Sequence, residues 1–198
     1  RFFWPQLSRT AFPELMSSKA SIVARSLAHC KVDSDKALLR DVSGDIEWCK
    51  ANMMDSALIH KAKRDFAIDV ATLAKVMDSY ETLKKDRNLL DFDDILMLMS
   101  AAIRTRPDIQ SAVHSAYRWF TVDEFQDVNP LQKSVLDLWI GERDDICVVG
   151  DPSQTIYSFT GASSKYLTDF VKTYPNSTLV DLVRCYRCSP EIVAMANA

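Results

Sequence analysis

The chain has 198 residues, 47% hydrophobic and 26% charged, the make-up of one or two ordinary globular domains with enough apolar material for a core. No run approaches the roughly 18 apolar residues of a membrane span, and five scattered cysteines do not read as a disulfide framework. The formal charge of −3 argues weakly against a nucleic-acid partner, but it is uneven: residues 1–118 hold 18 Lys+Arg against 16 Asp+Glu, and residues 119–198 hold 6 against 11.

The start, Arg1-Phe2-Phe3-Trp4-Pro5, has neither the apolar stretch nor the cleavage site of a signal peptide, so an intracellular protein is expected. Three of the four glycines (Gly141, Gly150, Gly161) fall late, and the first 118 residues read as nearly all helix. Ile22, Val23 and Leu27 recur at helical spacing. Ser34 and Asp35 precede a helical run through Leu38, Leu39 and Val42, which Gly44 either breaks or dents. Ser56 to about Lys85 reads as one long helix, with Phe66, Val70, Leu73, Val76, Met77, Tyr80 and Leu83 apolar and Arg87-Asn88 ending it. Its basic clusters, Lys61-Ala62-Lys63-Arg64 and Lys84-Lys85-Asp86-Arg87, are expected to be solvated helix faces rather than DNA contacts. A further helix fits Asp91 to Thr105, with Asp93 and Asp94 capping or pairing at its start, and Pro107 opens a shorter one.

Character changes at Tyr117. Tyr117 to Val122 is aromatic and β-branched, which suits a strand. Asn129-Pro130 should cap and open a helix. Ile146-Cys147-Val148-Val149 has the continuous apolar character of a buried parallel strand. Ser163 to Thr173 should be helical, Ser177 to Leu182 a third strand, and Ser189-Pro190-Glu191 the opening of a final helix. This alternation predicts an α/β fold with a parallel sheet.

Val122 delivers Asp123-Glu124 at one strand end, and Val149 delivers Gly150-Asp151 at another. Ligands of open parallel sheets bind outside the carboxyl ends of the strands, so both acidic groups should face one crevice. A nucleotide hydrolase needs such a pair: one carboxylate to hold Mg²⁺, the other to orient or deprotonate the attacking water.

The longer strings carry a family resemblance. Thr121-Val122-Asp123-Glu124-Phe125-Gln126-Asp127-Val128-Asn129 resembles motif II of superfamily 1A DNA helicases of the UvrD/PcrA/Rep kind. The string from Val148 to Ala162, which contains Gly150-Asp151-Pro152-Ser153-Gln154, resembles their motif III. Leu182-Val183-Arg184-Cys185-Tyr186-Arg187-Cys188-Ser189 resembles motif IV, and Asp91-Phe92-Asp93-Asp94-Ile95 a short element upstream of motif II. The start and Glu47-Trp48-Cys49-Lys50 look most like an actinobacterial UvrD-type branch.

The resemblance implies part of a RecA-like P-loop NTPase sheet preceded by an all-helical domain. Residues 1–90 would be a 1B-type domain, 91–184 the second part of domain 1A, and 185–198 the start of domain 2A. It implies 3′-to-5′ translocation on and unwinding of DNA driven by ATP and Mg²⁺, in the bacterial cytoplasm beside the nucleoid, with repair or replication proteins as possible partners. Asp123 would coordinate Mg²⁺, Glu124 would activate water, and Gln154 and Arg187 would contact the γ-phosphate. Tyr186 would stack on adenine, Tyr157 and Phe159 would lie along the single-stranded DNA path, and single-stranded and partly duplex DNA would be the partner. For Tyr157, DNA contact and core packing remain equally open; for Asp151, capping and support of Mg²⁺ do. Asp127 would brace the motif II loop.

Some positions depart from the pattern. Cys185 stands where the family usually has Asn, Cys188 where Ser or Thr is commoner, and Thr160 where many members carry Arg. The resulting C-x-x-C has no second pair and no nearby His for zinc, and reads as a coincidence of motif IV substitutions. No G-x-x-x-x-G-K-[ST] loop occurs, so this polypeptide alone is expected not to hydrolyse ATP at a helicase-like rate. Two other readings fit the same motifs: a helicase–nuclease of the AddA/RecB kind, and a non-catalytic DNA-binding or interaction module.

Overall fold

The computed structural model describes residues 4–8 and 10–196; Arg1 to Phe3 of the starting string lie outside the described residues. In chain order the elements are α1 (Trp4–Leu7), β1 (Glu14–Leu15), α2 (Ala20–His29), α3 (Lys36–Ala51), α4 (Val70–Asp86), β2 (Leu89–Leu90), α5 (Phe92–Thr105), α6 (Pro107–Ala116), β3 (Phe120–Val122), α7 (Pro130–Ile140), β4 (Ile146–Val148), α8 (Lys165–Thr168), α9 (Phe170–Thr173) and α10 (Pro190–Ala196). They make a mixed α/β fold whose described strands form two small parallel sheets, β1 with β2 and β3 with β4. Among the described residues no helix is long and apolar enough to cross a membrane.

The first core joins α2, α3 and α4. Val23 and Leu27 of α2, Val42 and Cys49 of α3, and Leu73, Val76 and Tyr80 of α4 recur at helical spacing and are fully buried. Each large apolar side chain removed from water here contributes about 1.5–3 kcal/mol. Asp35 starts α3 by accepting the Leu38 N–H, and the helix runs unbroken through Gly44.

The long helix expected from Ser56 begins only at Val70. Asp45, 3% exposed inside α3, accepts the Ala67 N–H at 2.8 Å and pairs with Arg64 at 2.8 Å. The Arg64 guanidinium lies over Trp48 and Phe66. One buried carboxylate thus holds residues 64–67 in a non-helical path, and Asp69 restarts the helix by capping Thr72. Arg64, expected on a solvated helix face, therefore turns inward.

Lys84 is also not a solvated residue. It is 2% exposed and, with Lys50, lies among Glu81, Asp91 and Asp94. The Asp91 carboxylate accepts Lys50 Nζ at 2.6 Å, Lys84 Nζ at 3.0 Å and the Tyr80 hydroxyl at 2.8 Å. Asp91 and Asp94 cap α5 reciprocally, each accepting the other's backbone N–H at 2.9 Å. Burial disfavours the charge on Asp91, but Lys50 and Lys84 outweigh it and hold the carboxyl well below its usual range. Burial likewise opposes the charge on Lys50, and Glu81, Asp91 and Asp94 raise its ammonium above the usual range. These three carboxylates meet the spacing of a metal site, but the two ammonium groups already supply the positive charge between them.

The first 118 residues are less purely helical than expected. Glu14 and Leu15 pair in parallel with Leu89 and Leu90, so the chain ahead of α2 is tied to the entry of α5. A second core packs α5, α6 and α7 around Ala102, Ile103, Ile109 and Val113, with Leu138 and Trp139 against it. Asn129 and Gln132 form a second reciprocal cap, opening α7 at Pro130 as the sequence predicts.

Two further expectations fail. The helix over Ser163 to Thr173 breaks at Asp169 into α8 and α9. Ser177 to Leu182 is not a strand: Leu179 and Val180 are 74% and 71% exposed, and no described strand pairs with them. An apolar alternation makes a strand only where an edge receives its N–H and C=O groups. β4 is likewise less covered than expected, with Ile146 and Val148 half-buried and Cys147 exposed.

Candidate functional site at two strand ends

β3 and β4 pair Phe120 with Ile146, Thr121 with Cys147 and Val122 with Val148. That register ends both strands at one level. The Val149 N–H donates to Val122 O at 2.8 Å, and the Phe125 N–H donates back to Val149 O at 2.9 Å. Asp123-Glu124 and Gly150-Asp151 therefore leave the sheet side by side.

Gln126 ties them together. It is 1% exposed; its Nε2 donates to Glu124 Oε2 at 2.7 Å and its Oε1 accepts the Asp151 N–H at 3.1 Å. Gly150 permits this approach, because a Cβ there would lie 2.4 Å from Gln126 Oε1. Asp123 Oδ1 accepts the Glu124 N–H at 2.9 Å, and Glu124 itself sits in the left-handed region at φ 50, ψ 41. Asp151 accepts the Ser153 N–H at 2.9 Å and Gln154 Nε2 at 3.0 Å, and these bonds hold its carboxyl below the usual range, Gln154 first. Asp127 accepts the Ile156 N–H at 3.4 Å across the two loops. Asp123, Glu124, Gln126, Asp151 and Gln154 thus form one hydrogen-bonded rim in which Asp123 and Glu124 are exposed and Asp151 is half-buried.

Past Gln154 the loop presents Tyr157 and Phe159, 49% and 68% exposed, with ring centroids 6.2 Å apart. The loop closes at Gly161, φ 96, where a Cβ would come within 2.6 Å of Asn52 Nδ2 at the end of α3. This close seat aims Phe159 into an open groove of roughly 870 Å³ between α3 and the start of α5. Phe92, 67% exposed, lines the same groove with Lys19, Lys36 and Arg40. Lys19 is paired with Asp93 and Glu47.

Tyr186 and Arg187 are exposed and stand apart: among the described residues, no hydrogen bond or ion pair joins them to Asp123, Glu124 or Gln154. The Arg184 guanidinium lies 5.1 Å from the Tyr186 ring centroid.

Two residues escaped the sequence reading. Gln126 stood in the quoted acidic string, but nothing in the chain order shows that its amide spans two strand ends. Phe92 stood inside Asp91-Phe92-Asp93-Asp94 as an apolar residue at a helix start; its exposure is set by the capping carboxylates, which turn inward on either side of it.

An oxygen donor set with an exposed Asp carboxylate suits Mg²⁺, which keeps most of its water and takes one or two carboxylates. Asp123 Oδ1 and Glu124 Oε2 are engaged within the rim, and the second oxygen of each carboxylate is the atom that fits such an ion at this rim.

The profile of the UvrD/REP helicase N-terminal domain matches residues 9–175. Over its whole length the chain is 41% identical to the ATP-dependent DNA helicase UvrD2 of Mycobacterium tuberculosis, covering 29% of that protein. It is 30% identical to the ATP-dependent DNA helicase PcrA of Leuconostoc citreum over 92% of this chain and 24% of that protein. Identity to the ATP-dependent DNA helicase UvrD1 of Mycobacterium tuberculosis is 26% over the full chain and 29% of the relative. The chain thus spans less than a third of the length of these relatives.

Proposed function

Since the chain belongs to the UvrD/REP helicase family, we propose that it is the portion of an ATP-dependent DNA helicase that carries the hydrolytic carboxylates and part of the single-stranded DNA track. In this reading residues 1–90 are a 1B-type helical domain, 91–184 part of a RecA-like domain 1A, and 185–198 the start of domain 2A. The parent is a 3′-to-5′ translocase acting in DNA repair or replication. The observation that carries the reading is the rim that Gln126 builds between Glu124 and Asp151 at two adjacent parallel strand ends.

Each side chain then has a role its surroundings support. Asp123 has Oδ1 engaged by the Glu124 N–H, leaving Oδ2 for Mg²⁺ or its water. Glu124 has Oε2 held by Gln126, leaving Oε1 to take a proton from the attacking water. Gln154, held by Asp151, would sense the γ-phosphate. Magnesium nucleotide bound here supplies the phosphoanhydride to be cleaved and a positive charge beside its oxygens. Arg187 and Tyr186 would approach the nucleotide from the 2A side, the arginine stabilising charge on the phosphoryl group and the tyrosine stacking on adenine. Phe159 and Phe92, with Tyr157 beside them, offer ring faces to successive bases, which every sequence provides.

The test is DNA-stimulated ATP hydrolysis by the parent protein. Glu124→Gln should lower kcat by about 10²–10⁴-fold, the usual contribution of a positioned base, while nucleotide and DNA binding persist. Undiminished turnover in that variant would refute the assignment.

A further inference from the structure

The C-x-x-C that the sequence reads as a coincidence of motif IV substitutions has a local geometry of its own. The chain bends at residues 186–188, and the Cys188 N–H donates to Cys185 Sγ at 3.4 Å. Both thiols are exposed. The bend brings the backbone N–H of the second cysteine onto the sulfur of the first, and the residues inside it are Tyr186 and Arg187. We propose that Cys185 and Cys188 form a reversible disulfide that responds to low-molecular-weight disulfides and, when closed, withdraws Tyr186 and Arg187 from the nucleotide. The inference rests on the reading of those two residues as nucleotide contacts.

The exchange balances without any further reactant. The Cys185 thiolate attacks one sulfur of the small disulfide; that S–S bond breaks, and one thiolate leaves. The Cys188 thiolate then attacks Cys185 Sγ in the mixed disulfide, forming the intramolecular bond and releasing the second thiolate. The protein gives up two electrons, the small disulfide is reduced to two thiols, and the two cysteine protons pass to those thiols. Hydrogen bonds from the backbone N–H groups of Cys188 and Arg187 hold the Cys185 thiol below its ordinary range, which favours the attacking thiolate. Cys49 shows the opposite environment: burial, then the charge of Asp45, pushes its thiol up to about 12, so it stays protonated and inert. Exposed Cys147 on β4 serves as an internal comparison. Disulfides of this kind in reducing compartments are typically transient and sensory.

The experiment treats the full parent protein with oxidised glutathione, maps the peptide containing residues 185–188 by mass, and measures affinity for a fluorescent ATP analogue. The expected peptide is lighter by two hydrogens, with affinity lowered roughly tenfold, a change of ~1.4 kcal/mol, and both effects reversed by dithiothreitol. A Cys185→Ser/Cys188→Ser variant should keep the reduced-state affinity and ignore the oxidant. A peptide that stays a dithiol or carries only glutathione adducts overturns the proposal. So does a disulfide that closes without changing affinity, provided that reduced Tyr186→Ala binds the analogue weakly. If reduced Tyr186→Ala binds as well as wild type, the nucleotide reading of Tyr186 fails instead, and the coupling falls with it.

Discussion

Glu124 occupies a left-handed backbone conformation that a non-glycine residue adopts at a cost of about 1–3 kcal/mol. The Asp127 N–H donating to its carbonyl, the Gln126 amide on its carboxylate and the Phe125–Val149 bond hold it there. Gln126 is therefore the residue on which the site geometry turns. Gln126→Met keeps the volume but leaves the Asp151 N–H unpaired and Glu124 unheld. It should destabilise the protein by about 1–3 kcal/mol in a thermal melt and lower kcat for ATP more than it raises KM in the parent. An unchanged kcat would show that Glu124 is oriented by something else. Lys31 is a simpler case. It follows α2 at φ 58, a position where glycine carries no Cβ penalty. Lys31→Gly should raise stability by up to about 1 kcal/mol, read as a higher melting temperature.

At the scale of elements, the start of α5 is the best-determined junction in the chain. Asp91 caps the helix, follows β2 directly, and takes two buried ammonium groups and a tyrosine hydroxyl. Removing its charge leaves Lys50 and Lys84 undercompensated, so Asp91→Asn should cost about 3–5 kcal/mol at neutral pH. The pH dependence has a definite sign. The carboxyl of folded Asp91 titrates below that of the unfolded chain, so as pH falls the unfolded state binds the proton first. Its stabilisation is complete above the unfolded value of about 3.9 and is lost as pH drops from there toward the lower folded value. Urea melts of wild type and Asp91→Asn at a series of pH values should converge as acid is added; curves that stay parallel would remove Asp91 from the account. Asp93 and Asp94 were legible as cap or pairing residues at the helix start, and Asp94 does cap α5 while Asp93 pairs with Lys19; Asp91, read as the first residue of the helix, is its N-cap instead. Lys50 and Lys84 were not legible, because ordinary helix faces carry lysines and only the packing of α3 against α4 and α5 encloses these two.

Across the whole molecule, the motif III loop and the start of α5 reach one groove from distant parts of the chain. Phe159 arrives through the seat of Gly161 on α3, and Phe92 through the cap of α5. If bases stack on both rings, Phe92→Ala and Phe159→Ala should each weaken binding of a single-stranded oligonucleotide by about 1–3 kcal/mol. Lys36 lines the groove with no ion pair among the described residues. Lys36→Ala should reduce the slope of log affinity against log salt by about 0.7 if it neutralises one phosphate. Equal affinity and equal slope in all three variants would place the DNA elsewhere.

The helices α2, α3 and α5 to α7 and the strand ends that carry Asp123 and Asp151 follow from local signals. Apolar periodicity, capping residues and short β-branched runs act over a few residues, and so they survive in the bare sequence. The motif strings likewise identified the family before any fold was known, because a catalytic site needs particular side chains at particular spacing. Other features depended on groups far apart in the chain. Asp45 unwinds residues 64–67 from a helix that local preference would extend, Gln126 bridges two strand ends, and Leu179 and Val180 pair with no described strand. In each case the deciding partner lies on another element, and the energy of a hydrogen bond or a buried contact depends on that partner being there.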